Sequence, residues 1–221
     1  MILAALWLVA PTGAPASRSS AITALHNRHP VTTTSLDPTT TTTTGPGSLP
    51  QSGAFPTASD AKFTSSMTSL FGSISSGTPA TASAAFFPEA AYLQLKVLPN
   101  SSSDYEQRLV AEYDLDIQAA HRLLASQGPT ARLVGVSVPE ANAHWVQPGV
   151  CSNSIGYFEV ANSRIIYTVG GQRHSIGIAS LISWRGQWYV VHLGAILRPG
   201  SGGVVLDPES GDGSSPPSTT C

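Results

Sequence analysis

Ser175-Ile-Gly-Ile-Ala-Ser-Leu-Ile-Ser-Trp-Arg-Gly-Gln-Trp-Tyr-Val-Val-His-Leu-Gly194 is the stretch that decides the fold. It reads as two β-branched and aromatic strands joined at Arg185-Gly186, with Gly170-Gly171 providing a second two-residue hairpin turn upstream. These turns predict strands over 172–184 and 187–197. Further strands are expected over 132–138 and 143–146, and a hairpin of 157–160 with 164–169 across Ala161-Asn162-Ser163. The antiparallel meander is preceded by helical periodicity. Pro88 and Glu89 suit a first helical turn that runs to about Val97, and Ser103-x-x-Glu106 is a capping box. Tyr105, Leu109, Tyr113, Ile117, Ala120 and Leu124 then recur on one helical face up to Gly128-Pro129. Helices followed by a meander predict an α+β domain over 86–198, an NTF2-like or cystatin-like cone, with a partly open barrel as the alternative.

Outside that core the composition changes. Residues 1–16 combine the apolar run Met1-Ile-Leu-Ala-Ala-Leu-Trp-Leu-Val-Ala10 with Ala14-Pro15-Ala16, which fits a signal peptide too short to span a bilayer. Residues 17–85 are rich in Thr, Ser, Pro and Ala, including Thr39 to Thr44, and read as a disordered spacer, either a glycosylated stalk or a plain linker. Within it Phe63, Met67, Leu70, Phe71 and Ile74 have helical spacing, read as an unstable helix that docks transiently. Residues 199–221 read as a flexible tail with a brief docked piece at Val204-Val205-Leu206.

Charge and motifs exclude more than they assign. A net charge of -2 with no basic run argues against nucleic acid. The two cysteines, Cys151 and Cys221, could pair in an oxidising compartment or stay free, and lack the histidine spacing of a zinc site. His26-x-x-His29 stands alone in the spacer, and no cofactor fingerprint occurs. His121 with Asp114 and Asp116 reads as a solvated helical face.

Strict alternation from the two turns places Arg164 opposite Gly177 and His192 opposite Ala179. Arg164, Ser175, Trp188 and His192 then share one face above small residues, and could converge on a shallow pocket for a polar or anionic ligand. The competing expectation is that the long helix covers this face, where Glu112 and Asp116 would reach Arg164.

Three blocks resemble a group of exported actinobacterial proteins of unassigned activity: Phe87 to Lys96, Pro148-Gly149-Val150 with Ile155-Gly156-Tyr157, and Ser180 to Gly194. The resemblance covers roughly 86–207 and implies an envelope-facing location, without catalytic residues to carry over. Together these readings predict a secreted or cell-surface, non-enzymatic interaction or ligand-binding module, with an envelope component or a small polar ligand as partner. The alternative is a small NTF2-like enzyme using His192 and Arg164. A sheet edge is a candidate surface for self-assembly.

Overall fold

A computed structural model describes residues 45–221; the signal-peptide segment, the His26/His29 pair and the Thr39 to Thr44 run lie outside the described residues. The chain folds as α+β, with helices packed on a six-stranded antiparallel open sheet. Helix α1 (Ala61–Ser76) is followed by α2 (Glu89–Leu95), α3 (Ser101–Asp104), a π-helical turn (Tyr105–Val110) and α4 (Ala111–Gln127). The strands are β1 (Ala131–Ser137), β2 (His144–Val146), β3 (Tyr157–Val169), β4 (Gln172–Trp184), β5 (Gln187–His192) and β6 (Leu206–Ser210).

The sheet is organised around one long hairpin of β3 and β4, each 13 residues. Its turn residues Gly170 and Gly171 both have positive φ, 56° and 81°, the geometry that matches the twist of the flanking strands. Two short strands follow one another along each outer edge. β1 and β2 pair with opposite ends of β3, while β6 and β5 do the same for β4. Residues 157–169 are therefore one strand and not the expected hairpin: Asn162 takes φ 55° within it, and the residues on either side keep a single register with β4.

The spacer boundary at residue 85 is also corrected. α1 is a full helix, capped by the Asp60 carboxylate on the amides of Lys62 and Phe63 and closed by Gly77 at φ 68°. Phe63, Met67, Leu70, Phe71 and Ile74 are buried in the main core, with Phe71 against Tyr167 at 5.9 Å between rings. The apolar stripe wins over the Ser/Thr composition because it finds a sheet to cover. Upstream of α1 the chain is already tied down: the Gln94 amide donates to Gly47 O, Gln51 bridges Ser183 O and the Arg185 amide, and Phe55 packs on Phe158 at 4.9 Å.

The capping box is corrected in a smaller way, since Asn100 caps the amide of Ser103 and the helix starts at Ser101. Residues 85–87 run along the outer edge of β5, where Phe87 N donates to Val190 O and Val190 N to Ala85 O. Phe87 thereby reaches Trp184 and Tyr189, at 5.9 and 6.0 Å between rings. The tail is corrected as well. β6 pairs with β4, the chain beyond it bonds to side chains of β3 as far as Thr220, and Cys221 is joined to Cys151 in the loop before β3. Among the described residues no helix is long and apolar enough to cross a membrane.

Candidate functional site

Of the four sequence-derived candidates only Arg164 and Ser175 meet. Arg164 pairs with Gly177, as alternation requires, and its guanidinium donates to Ser175 Oγ at 2.9 and 3.1 Å. The rest of its fork is consumed by Ser214 O, Asp207 O and the Glu209 carboxylate, all on the C-terminal segment, which leaves Arg164 3% exposed. Glu112 and Asp116 do not reach it; Asp116 is held instead by Arg198 and by the amides of Gly194 and Val204. The cover over Arg164 and Ser175 is thus the chain read as a free tail, not the long helix. Trp188 is buried farther along, packed against Phe55 and donating from Nε1 to Glu140 at 3.4 Å.

His192 leaves this group altogether. Leu181 pairs with Val190 but Ser180 pairs with His192, so Val191 is an extra residue in β5, a β-bulge. The bulge moves His192 from opposite Ala179 to opposite Ser180, one step along β4 and therefore on the other face from Ser175 and Gly177. Strict alternation could not have shown this, because no glycine or proline marks the bulge.

On its actual face His192 lines a cavity of about 90 Å³ with Tyr92, Lys96, Arg108, Tyr157 and Ser180 around it. That volume is below the range of drug-sized sites and suits a few waters or one small polar molecule. Leu95, Leu109, Ile182, Val191 and Ile196 form its apolar wall, and Thr220 and Cys221 close one side. Arg108 sits on the π-helical turn, a local widening of the helix. Its guanidinium forms two hydrogen bonds to Asp104, at 2.6 and 2.7 Å, and the Tyr92 hydroxyl shares that carboxylate. Lys96, at the end of α2, donates to Cys151 O at 2.9 Å.

The electrostatics of the cavity are lopsided toward positive charge. Burial and then the cations Arg108, Arg198 and Lys96 push the His192 imidazole down to about 4, so it is neutral at pH 7. Burial and the Arg108 charge likewise hold Lys96 below its ordinary value. Burial raises Tyr157 to about 12, and raises Tyr92 further through both burial and the Asp104 carboxylate, so both hydroxyls remain protonated donors. Beside the cavity Glu159 is fully buried and raised by desolvation; it accepts from Ser180 Oγ at 3.0 Å and lies 3.4 Å from His144 Nε2.

Cys151 and Cys221 form a disulfide, with Cα atoms 5.9 Å apart, so Cys151 is not a free nucleophile in this structure. His121 is taken by a main-chain contact, Nδ1 to Ile74 O at 3.0 Å. Sequence reasoning missed Tyr92 and Lys96 of α2, Arg108 of the π-helical turn and Tyr157 of β3, which come from three separate elements. Comparisons with protein-family models, with curated proteins and with solved structures give no significant match to this chain.

Proposed function

We propose that the chain is an exported, envelope-associated binding module that takes a small anionic ligand in the cavity at His192. The carrying observation is the convergence of Lys96, Arg108 and His192 with the Tyr92 and Tyr157 hydroxyls around one small cavity. These groups can donate hydrogen bonds, and although Asp104 pairs with Arg108, the nearby cations still disfavour the charged forms of Lys96 and His192. An anion would relieve that repulsion and draw a proton onto His192. The helices and open sheet provide the walls as an NTF2-like or cystatin-like cone, and the Thr-rich segment before residue 45 serves as a stalk. The reading as an enzyme built on His192 and Arg164 loses its basis, because those side chains lie on opposite faces of the sheet.

The test is a titration of the oxidised chain with inorganic phosphate, followed by NMR of the histidine ring protons across pH. Saturable binding is expected, with His192 titrating higher when phosphate is bound than its free value near 4. A His192 titration unmoved by phosphate at saturating concentration overturns the reading. Fractionation of the producing cells tests the envelope location.

A further inference from the structure

A groove of about 490 Å³ lies between the 3₁₀ turn Pro79–Ala82 and the junction of the π-helical turn with α4. That volume is within the range of small-molecule sites, and no residue lining the groove also lines the His192 cavity. Three aromatic residues line it: Phe86 stacks on Tyr113 with ring centroids 4.4 Å apart and meets Tyr105 at 5.8 Å. Both hydroxyls are taken by the main chain, Tyr105 donating to Phe87 O at 2.8 Å and Tyr113 to Ala82 O at 3.2 Å. The rings and Val110 therefore give the groove an apolar lining.

Asp114 is the one charged residue in that lining, with Gln118 one turn beyond it on α4. Among the described residues the Asp114 carboxylate has no ion-pair partner, while its neighbours Glu112 and Asp116 share Arg198. Burial holds Asp114 above the ordinary carboxylate range, and its charge in turn helps to raise the Tyr113 hydroxyl. Nor does a helix end offset it. The chain passes from the π-helical turn into α4 through Val110 at helical angles, φ -66° and ψ -44°, so no free helix start faces Asp114. An apolar groove with one uncompensated carboxylate is complementary to a cation carried on an apolar body.

We propose that this groove binds a small organic ammonium ion, its charged head on Asp114 and its apolar body against Phe86, Tyr105 and Val110. A metal ion does not fit, because among the described residues no group of three His, Cys, Asp or Glu side chains is placed to hold one. An ammonium needs only the one carboxylate and hydrogen-bond acceptors, and the exposed Gln118 can supply a second acceptor through its amide oxygen. The preference for positive charge is opposite to that of the His192 cavity, and neither site depends on the other.

Titration of the full chain with 2-phenylethylamine at pH 7, followed by NMR of the aromatic ring protons, tests it. Saturable shifts are expected at Phe86 and Tyr105 and not at His192, and the neutral analogue 2-phenylethanol should bind about tenfold more weakly. Asp114→Asn should bring the amine down to the affinity of the alcohol and leave the alcohol unchanged. Gln118→Lys, at an exposed position one turn beyond Asp114, supplies a tethered ammonium without removing any of the aromatic lining. It should weaken the amine about tenfold. Equal affinity for amine and alcohol overturns the proposal, as does an amine affinity indifferent to both substitutions. Ring shifts at Phe86 and Tyr105 that grow with protein concentration in the absence of amine mean that a second copy fills the groove, and overturn it too.

Discussion

At the scale of single residues, His192 is where pH acts most directly on this fold. Its folded-state value near 4 lies below the ordinary 6.5, so between these limits the unfolded chain takes up a proton that the folded chain refuses. The stability that depends on the neutral imidazole is fully present above about pH 6.5 and is lost as pH falls toward 4. The groups around it are Arg108, Arg198 and Lys96, which oppose its charge, and Asp116, which favours it. Glu159 works in the other direction: burial raises it, so folding favours its protonation at low pH. Its contribution cancels when wild type and His192→Gln are compared at the same pH. Denaturant unfolding at pH 7 and pH 4.5 should show the wild type losing about 2 kcal/mol more than His192→Gln over that interval. Parallel losses would mean that the imidazole is better solvated than its surroundings imply.

At the scale of elements, α1 shows how composition and periodicity compete. Ser and Thr dominate 61–76, and intrinsic propensity alone disfavours a helix there, but five apolar side chains fall on one stripe. Leu70 and Ile74 end with no exposed surface. Leu70→Ala should therefore cost about 3 kcal/mol in denaturant unfolding, the scale of a core cavity; an exposed, transient helix would lose under 1 kcal/mol. The sequence made the stripe legible but not its destination, because burial depends on partners far away in the chain. The long hairpin was legible for the opposite reason: Gly170-Gly171 and Arg185-Gly186 are local signals, and all four residues take the positive φ that such turns need. Arg164 opposite Gly177 followed directly from them. His192 did not, since one extra residue in β5 reverses every inference about facing beyond it. The cavity was invisible for the same reason that α1's partner was: Tyr92, Lys96, Arg108 and Tyr157 meet only after α2, the π-helical turn and β3 have packed.

At the scale of the whole molecule, the segments of low-complexity composition on either side of the core are what close it. Residues 50–58 cover Trp188 and Ser183, and residues 206–221 cover Arg164 and Ser175 before ending at Cys151. The disulfide ties ends 70 residues apart in sequence, and in the chain-entropy model a closure of that length contributes about 4 kcal/mol. An opposing effect acts at the same place. Cys151 and Ser152 both hold positive φ, 51° and 57°, at roughly 1 kcal/mol each for residues with a Cβ. Cutting the disulfide would let that loop relax, provided the Lys96 contact to Cys151 O also yields. The entropic effect is the larger, so Cys151→Ser with Cys221→Ser should lose about 2–4 kcal/mol in denaturant unfolding. The denaturant slope should rise as well, because an uncrosslinked unfolded chain exposes more surface. A stability within about 1 kcal/mol of wild type, with an unchanged slope, would show that the 151–221 closure does not constrain the unfolded chain and that the segment's polar contacts alone hold it to the sheet.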